Sequence, residues 1–278
     1  MAVTLCGVLG DPIAHSLSPV LHRAGYDAVG LPSWRYVSRR VPAGTLAPFL
    51  AGLGPDWRGL SLTMPLKREA MPLLASLSHR ARRAGAVNTI VRTSYGWAGD
   101  NTDLPGAVNA VRERHEGPLR RAVILGAGAT AASVGLALVE LGVREIVVLA
   151  RSAERAEVTA GVVAATGVEV LVQPLELRLE ADVVVSTLPV EAQTPALVGR
   201  WRDAPLLFDV VYDPWPTPLI AAVREAGGTV VTGLDLLAHQ AVLQFELFTG
   251  ICAPLDRMRA AGEAALSRNA GATAVLTP

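Results

Sequence analysis

At 278 residues, with 51% hydrophobic and 5% aromatic content, the chain is too long for one small core and too apolar for large-scale disorder, so two domains sharing a cleft are expected. Lys and Arg total 25 against 25 Asp and Glu, and a formal net charge of zero excludes a general electrostatic attraction to nucleic acid or an anionic membrane. Cys6 and Cys252 lie at opposite ends and read as reduced, structural thiols of a cytoplasmic protein. No basic run precedes an apolar one near Met1, so no secretory signal is expected.

In chain order, "TLCGVLG", "SPVLHRAGYDAVG", "WRYVSRRV", "AGTLAPFLAGLG", "RGLSLTM" and "PLKREAMPLLASL" alternate strand-like and helix-like patterns, which predicts an α/β unit with parallel pairing. "HRARR" (79–83) reads as a solvated helix face, and "AVNTIVRTSYGWAG" as a hairpin or paired strand. A helix is predicted from Leu104 to about His115, with "HEGPLRR" after it as the linker candidate. "AVILGAGATAASVGLALV" is long and uncharged enough to be weighed as a membrane span, but its β-branched front, glycine-rich middle and helical back read better as strand, loop and buried helix. Strands and helices then repeat through "REIVVLA", "VEVLVQPL", "DVVVSTLP", "PLLFDVVYD" and "GTVVTG", with helices from about Ala129, Ala153 and Thr217, a doubly wound pattern. After Gly233 the chain reads as helical, with no strand to pair, and is expected to return across the first domain.

"VILGAGATA" places Gly126, Gly128 and Ala131 in a G-x-G-x-x-G/A pattern after a strand and before a helix. Gly126 permits a tight turn, Gly128 a close approach to pyrophosphate, and the helix N-terminus offers free N–H groups and a positive dipole. A ligand-free tight turn would have the same pattern. The next strand ends not in an acid but in Ala150, Arg151, Ser152 and Arg155. An acid would repel a ribose 2′-phosphate, whereas Arg151 can fork onto it and Ser152 and Arg155 add donors, so NADP is the expected cofactor.

Two further motifs carry hydroxyls and a cation. In "HSLSP", Ser18 before Pro19 is a natural helix cap, while Ser16 has no such explanation; together they could cradle a small carboxylate. In "SLTMPLK", Thr63 could cap a helix starting near Pro65, which puts Lys67 in a first turn where the helix dipole disfavours a cation. "GDNTD" (99–103) adds two acids just before the helix at Leu104. The five histidines show no metal-ligand spacing with one another or with cysteine, and no metal is expected.

Together "HSLSPxxH", "SLTMPLK", "GAVNT", "GDNTDLPG", "GAGATA", "ARSAER", "DVVYDPWPTPL" and "GLDLLAHQAVLQFELFTG" resemble, in order and over nearly the whole chain, the shikimate dehydrogenase family. The resemblance implies an N-terminal α/β substrate domain (1–103) completed by C-terminal helices (236–278), and a Rossmann NADP domain (104–235). It implies that Ser16 and Ser18 bind the substrate carboxylate, that Thr63, Asn88, Asp103 and Gln240 hold ring hydroxyls, and that Lys67 and Asp103 form a catalytic pair. Tyr212 would reach the substrate, and Gly126, Gly128, Ala129, Arg151, Ser152, Arg155 and Gly233 would line the cofactor. The implied activity is the NADP-dependent interconversion of 3-dehydroshikimate and shikimate, on the route to aromatic amino acids, by a monomer or homodimer with no nucleic-acid or membrane partner.

The chain departs from the family pattern in several places. Arg23 and Ser61 stand where asparagines are usual, Ala129 replaces a glycine, Ala150 an asparagine and Leu236 a common methionine. Three alternatives remain open at this point: a quinate or dual quinate/shikimate dehydrogenase using NAD, a non-catalytic NADP-binding sensor of the same fold, and another two-domain Rossmann enzyme such as a methylene-tetrahydrofolate dehydrogenase.

Overall fold

Short apolar strands without alternation, such as "VVVS" and "LLFD", have both faces buried, and their helices must cover them. The computed structural model, which describes residues 3–275, shows two six-stranded sheets in two units. Among the described residues, one unit is 3–102 with Leu237–Ala265; the other is Asp103–Leu236 with 266–275. The expected division broke one residue later, after 103, and gave all of 236–278 to the first unit; here the last helix passes between units at Leu266.

In the first unit the sheet order is β2-β1-β3-β5-β6-β4, from β1 (Thr4–Gly10), β2 (Trp34–Arg40), β3 (Trp57–Leu62), β4 (Ser76–Leu77), β5 (Thr89–Thr93) and β6 (Gly96–Asp100). The first three pair in parallel through the crossovers α1 (Ser18–Ala28) and α2 (Leu46–Ala51). The expected hairpin follows: β5 runs antiparallel to β6 because "TSYG" joins Thr89–Thr93 to Gly96–Asp100 directly and leaves no room for a crossover, and β5 also lies antiparallel to β3, while β4 pairs with β6 in parallel. "PLKREAMPLLASL" is not one helix either. It divides into α3 (Leu66–Glu69), a 3-10 turn at Met71–Leu73 and the strand β4, since Pro72 denies the ladder its amide. Next comes α4 (His79–Ala84), capped by Ser78, whose hydroxyl accepts from the Ala81 amide at 3.1 Å, and closed by Gly85 at φ 59°.

The second unit opens with α5 (Asp103–Arg114) and has the order β12-β11-β10-β7-β8-β9, all parallel. Its strands are β7 (Arg121–Leu125), β8 (Glu145–Ala150), β9 (Glu169–Pro174), β10 (Val183–Ser186), β11 (Leu206–Asp209) and β12 (Thr229–Val231). The crossovers include α6 (Ala129–Glu140), α7 (Ala153–Ala164), α8 (Pro195–Trp201) and α9 (Pro218–Glu225). Thr194 and Thr217 cap α8 and α9 with proline in the next position, an arrangement in which the missing amide costs nothing. Ala122–Val139 thus divides into β7, a loop and α6, and among the described residues no helix is long and apolar enough to cross a membrane.

Two helices end the chain, α10 (Gly233–Thr249) and α11 (Leu255–Val275). Within the first unit α10 brings Phe245 and Phe248 to an aromatic cluster with Tyr26, Tyr36 and His22. Cys6 is buried and free, its thiol pushed up to about 12 mainly by burial, so it is inert; Cys252 is exposed rather than structural.

His22 has no exposed surface and stacks on Tyr36, ring centroids 4.1 Å apart with an interplanar angle of 9°. Burial pushes its imidazole down to about 3, the Gln244 side chain opposing. The unfolded chain therefore takes up a proton near pH 6.5 that the folded chain refuses, and His22 removes stability as pH falls, by up to about 1.4 kcal/mol per pH unit. Urea titrations from about pH 7.5 to 4.5 are expected to show a shallower acid loss for His22→Gln than for the parent chain; parallel curves would refute this.

Candidate active site

The predicted substrate residues of the first unit come from four places in the fold. Ser16 lies in the loop after β1 and Ser18 is the first residue of α1. The expected cap by Ser18 is not made: Leu17 occupies the cap position, and it is Ser16 whose hydroxyl accepts from the Ser18 amide, at 3.4 Å. The two hydroxyls are therefore linked through one turn of backbone, Ser18 buried and Ser16 half-buried. Nor does Thr63 cap α3 with its side chain; the helix starts later, at Leu66, with Pro65 in the cap position. Thr63 instead bonds through its backbone, its amide to Leu9 O (2.9 Å) and its carbonyl from Leu66 N (2.9 Å). Lys67 is half-buried in the single turn of α3, and its carbonyl accepts from the Val87 amide at 2.7 Å, next to Asn88.

Asn88 is buried, and a buried carboxamide has to be satisfied at both ends. Its Oδ1 accepts from the Thr102 amide (2.7 Å) and the Thr89 hydroxyl (2.8 Å). Its Nδ2 donates to Thr102 Oγ1 (2.9 Å) and Gln240 Oε1 (3.2 Å). Gln240, on α10, in turn donates to its own Leu237 carbonyl at 3.1 Å. Asn88 and Gln240, paired only by resemblance in the sequence, are thus in direct contact.

The two acids of "GDNTD" do different work. Asp100, at the end of β6, is held by Arg80 (Nε to Oδ1, 2.7 Å; a guanidinium nitrogen to Oδ2, 2.5 Å), by the Ser78 hydroxyl and by the Asn101 amide. Burial alone would raise its carboxyl, but Arg80 and Ser78 overcome this and hold it below the usual carboxylate range. "HRARR" is accordingly not only a solvated face, since Arg80 fastens the turn. Asp103 is the buried first residue of α5, where the positive end of the helix favours a carboxylate.

In the second unit the glycine-rich loop follows β7, the strand from which the sheet grows in both directions, through β8 and through β10; ligands of such sheets bind at this switch point. Gly126 has φ 99°, and a Cβ there would lie 2.5 Å from Thr187 Oγ1. Gly128 caps α6, and Ala129 is its first residue. From α7 the buried Thr159 donates to the Ala127 carbonyl at 2.8 Å, which sets the loop from beneath. Ser152 caps α7, its hydroxyl oxygen accepting from the Arg155 amide at 3.4 Å; Arg151 and Arg155 are exposed beside it. Free helix N–H groups, a glycine that admits no side chain and two exposed guanidiniums fit a phosphorylated dinucleotide. Tyr212 lies half-buried in the segment between β11 and α9, and Gly233 opens α10 so close to Val210 that a Cβ would be 2.4 Å from its carbonyl oxygen.

Three family descriptions match the chain: a shikimate dehydrogenase substrate binding domain over 8–90, shikimate / quinate 5-dehydrogenase over 111–199, and a shikimate 5′-dehydrogenase C-terminal domain over 233–261. A shikimate dehydrogenase (NADP(+)) of Moorella thermoacetica is 36% identical, over 97% of this chain and 96% of that one. The chain belongs to the shikimate dehydrogenase family. The Mycobacterium tuberculosis shikimate dehydrogenase structure matches with a TM-score of 0.85 and 42% identity, covering 94% of this chain and 99% of that one. That of the Thermus thermophilus enzyme, in complex with NADP(H) and shikimate, matches with 0.83 and 32%, covering 95% and 100%.

Two departures from the family pattern have different settings. Arg23 is exposed and donates from Nε to the Tyr36 carbonyl at 3.0 Å, so it braces α1 against β2. Ser61 is buried between Tyr36 and Gln244. Gln244, Thr89, Thr102, Arg80 and Thr159 were not singled out from the sequence, and only the spacing of Gln244 from Gln240, one helical turn, could have signalled one of them.

Gly126→Ala is expected to cost about 1–3 kcal/mol, seen as a lower urea midpoint, because its φ and its approach to Thr187 both exclude a side chain. Gly128→Ala, at φ −83° with open space around it, is expected to stay within about 0.5 kcal/mol of the parent.

Proposed function

We propose that the protein is an NADP-dependent shikimate dehydrogenase, with the first unit binding shikimate or 3-dehydroshikimate and the second binding NADP(H). The observation that carries this reading is the buried Asn88–Thr102–Gln240 cluster beside the strand end that leads to Asp103, in a chain that matches a shikimate- and NADP(H)-bound relative over nearly its whole length. Ser16 and Ser18 offer hydroxyls to the carboxylate, while Thr63, Asn88, Gln240 and Tyr212 offer donors and acceptors to the ring.

NADP, when bound, supplies the acceptor for the hydride that leaves the alcohol carbon. The dinucleotide is held by the 126–129 loop, by Arg151, Ser152 and Arg155 at its phosphorylated ribose, and by Gly233 toward the nicotinamide. Lys67 takes the hydroxyl proton as the ketone forms and returns it in the reverse direction. Asp103 holds the ammonium and accepts a hydrogen bond from the reacting hydroxyl, which orients both. The relatives are named for NADP(+), and Arg151 stands where an acid would mark an NAD site, which favours this reading over an NAD-dependent quinate enzyme.

Initial rates of nicotinamide reduction with shikimate or quinate, each with NADP or NAD, test the reading; rapid turnover with shikimate and NADP is expected, and none with any pair would sink it. Lys67→Ala is expected to lower kcat by about 10²–10⁴ with little change in KM, and Asp103→Ala to impair both. Arg151→Ala is expected to raise the KM for NADP roughly tenfold, a loss of about 1.4 kcal/mol, and to leave that for NAD nearly unchanged.

A further inference from the structure

The family resemblance implies an asparagine at position 61, and the serine there cannot reach as far or offer a carboxamide. The fold fills the gap from another element. The Tyr36 hydroxyl donates to Ser61 Oγ at 2.6 Å, and the Ser61 hydroxyl donates to Gln244 Oε1 at 2.7 Å. Gln244 Nε2 then spends its two hydrogens on the Asn88 carbonyl (3.2 Å) and Thr89 Oγ1 (3.0 Å), and the Thr89 hydroxyl donates to Asn88 Oδ1. Each of these residues is buried, and every donor in the series points the same way, from Tyr36 toward Asn88. Reversing any one member would place two donors or two acceptors face to face. Gln244 also follows Gln240 by one turn of α10, so the two glutamines address Asn88 from the same helix face.

We propose that Gln244 is a positioning residue for the substrate side of this site, supplying from α10 the carboxamide that position 61 lacks. It holds Asn88 by the backbone carbonyl and, through Thr89, supports the side-chain orientation that the Thr102 amide imposes. Ser61 and Gln244 are on this account one functional unit, 183 residues apart in sequence. The inference rests on the shikimate reading above.

Gln244→Leu keeps the bulk and removes the polar atoms. With shikimate and NADP it is expected to raise the KM for shikimate about tenfold, to change kcat less than about threefold, and to leave the KM for NADP unchanged. Ser61→Ala interrupts the same series with a smaller loss of volume, and about a threefold rise in the KM for shikimate is expected. Adding Ser61→Asn to Gln244→Ala is expected to recover part of the KM lost in Gln244→Ala, because the carboxamide returns on the other element. An unchanged KM for shikimate in both Gln244→Leu and Ser61→Ala would overturn the inference. So would a fall in thermal midpoint accompanied by equal losses toward shikimate and NADP, which is the mark of packing alone. A parent chain inactive on shikimate would overturn the proposed reaction and the inference with it; an active parent with unaltered variants overturns the inference only.

Discussion

A carboxamide taken out of water must find partners for two lone pairs and two hydrogens, and Asn88 meets that demand inside the first unit. Its oxygen is filled by Thr89 and Thr102, its nitrogen by Thr102 and Gln240. The partners come from the start of β5, the turn before α5 fourteen residues on and the middle of α10, 152 residues on, so one side chain fixes the hairpin's two ends and a distant helix in register. An unmet group there would cost about 1–3 kcal/mol, comparable with a substantial part of a domain's net stability. The cluster is therefore held by the same bonds that let it be buried, and on the proposed reading that fixed geometry is what discrimination among ring hydroxyls requires.

The apolar framework around it follows from simpler rules. Near-continuous aliphatic strands put both sheet faces under helices, and the glycine-rich turn after β7 sits at the centre of the second sheet, where the strand order diverges. These features were legible from the sequence, as were the hairpin from Thr89 to Asp100 and the helices at Asp103, Ala129, Ala153 and Pro218, each within a residue or two. Local signals of cap, proline, glycine and period suffice for them.

What was not legible depended on distant partners. Ser18 resembled a cap, but the helix starts one residue earlier and Ser16 supplies the oxygen. "PLKREAMPLLASL" has a helical look until Pro72 and the pairing of β4 with β6 divide it. Arg80 reads as one cation among several until Asp100, twenty residues on, is seen to bind it through both oxygens. The same is true of Gln244, which stands beside the core residue Phe245 on α10 and whose partners include Ser61 on β3 and Thr89 on β5. The two acids in "GDNTD" are told apart by the fold: Asp100 binds Arg80, and Asp103 begins a helix.

The two kinds of contact expected at the dinucleotide differ in how they meet the solvent. Helix N–H groups and the glycine turn are close-range and partly sheltered by Thr159 and Thr187 beneath them, whereas Arg151 and Arg155 project into water. Charges exposed in this way are screened over about 8 Å at physiological ionic strength and over less in brine. On the proposed reading, rising salt erodes the preference for a phosphorylated ribose sooner than it erodes the grip on the pyrophosphate. Cofactor discrimination in this protein then depends on the ionic composition of its surroundings, while cofactor capture is built into the backbone.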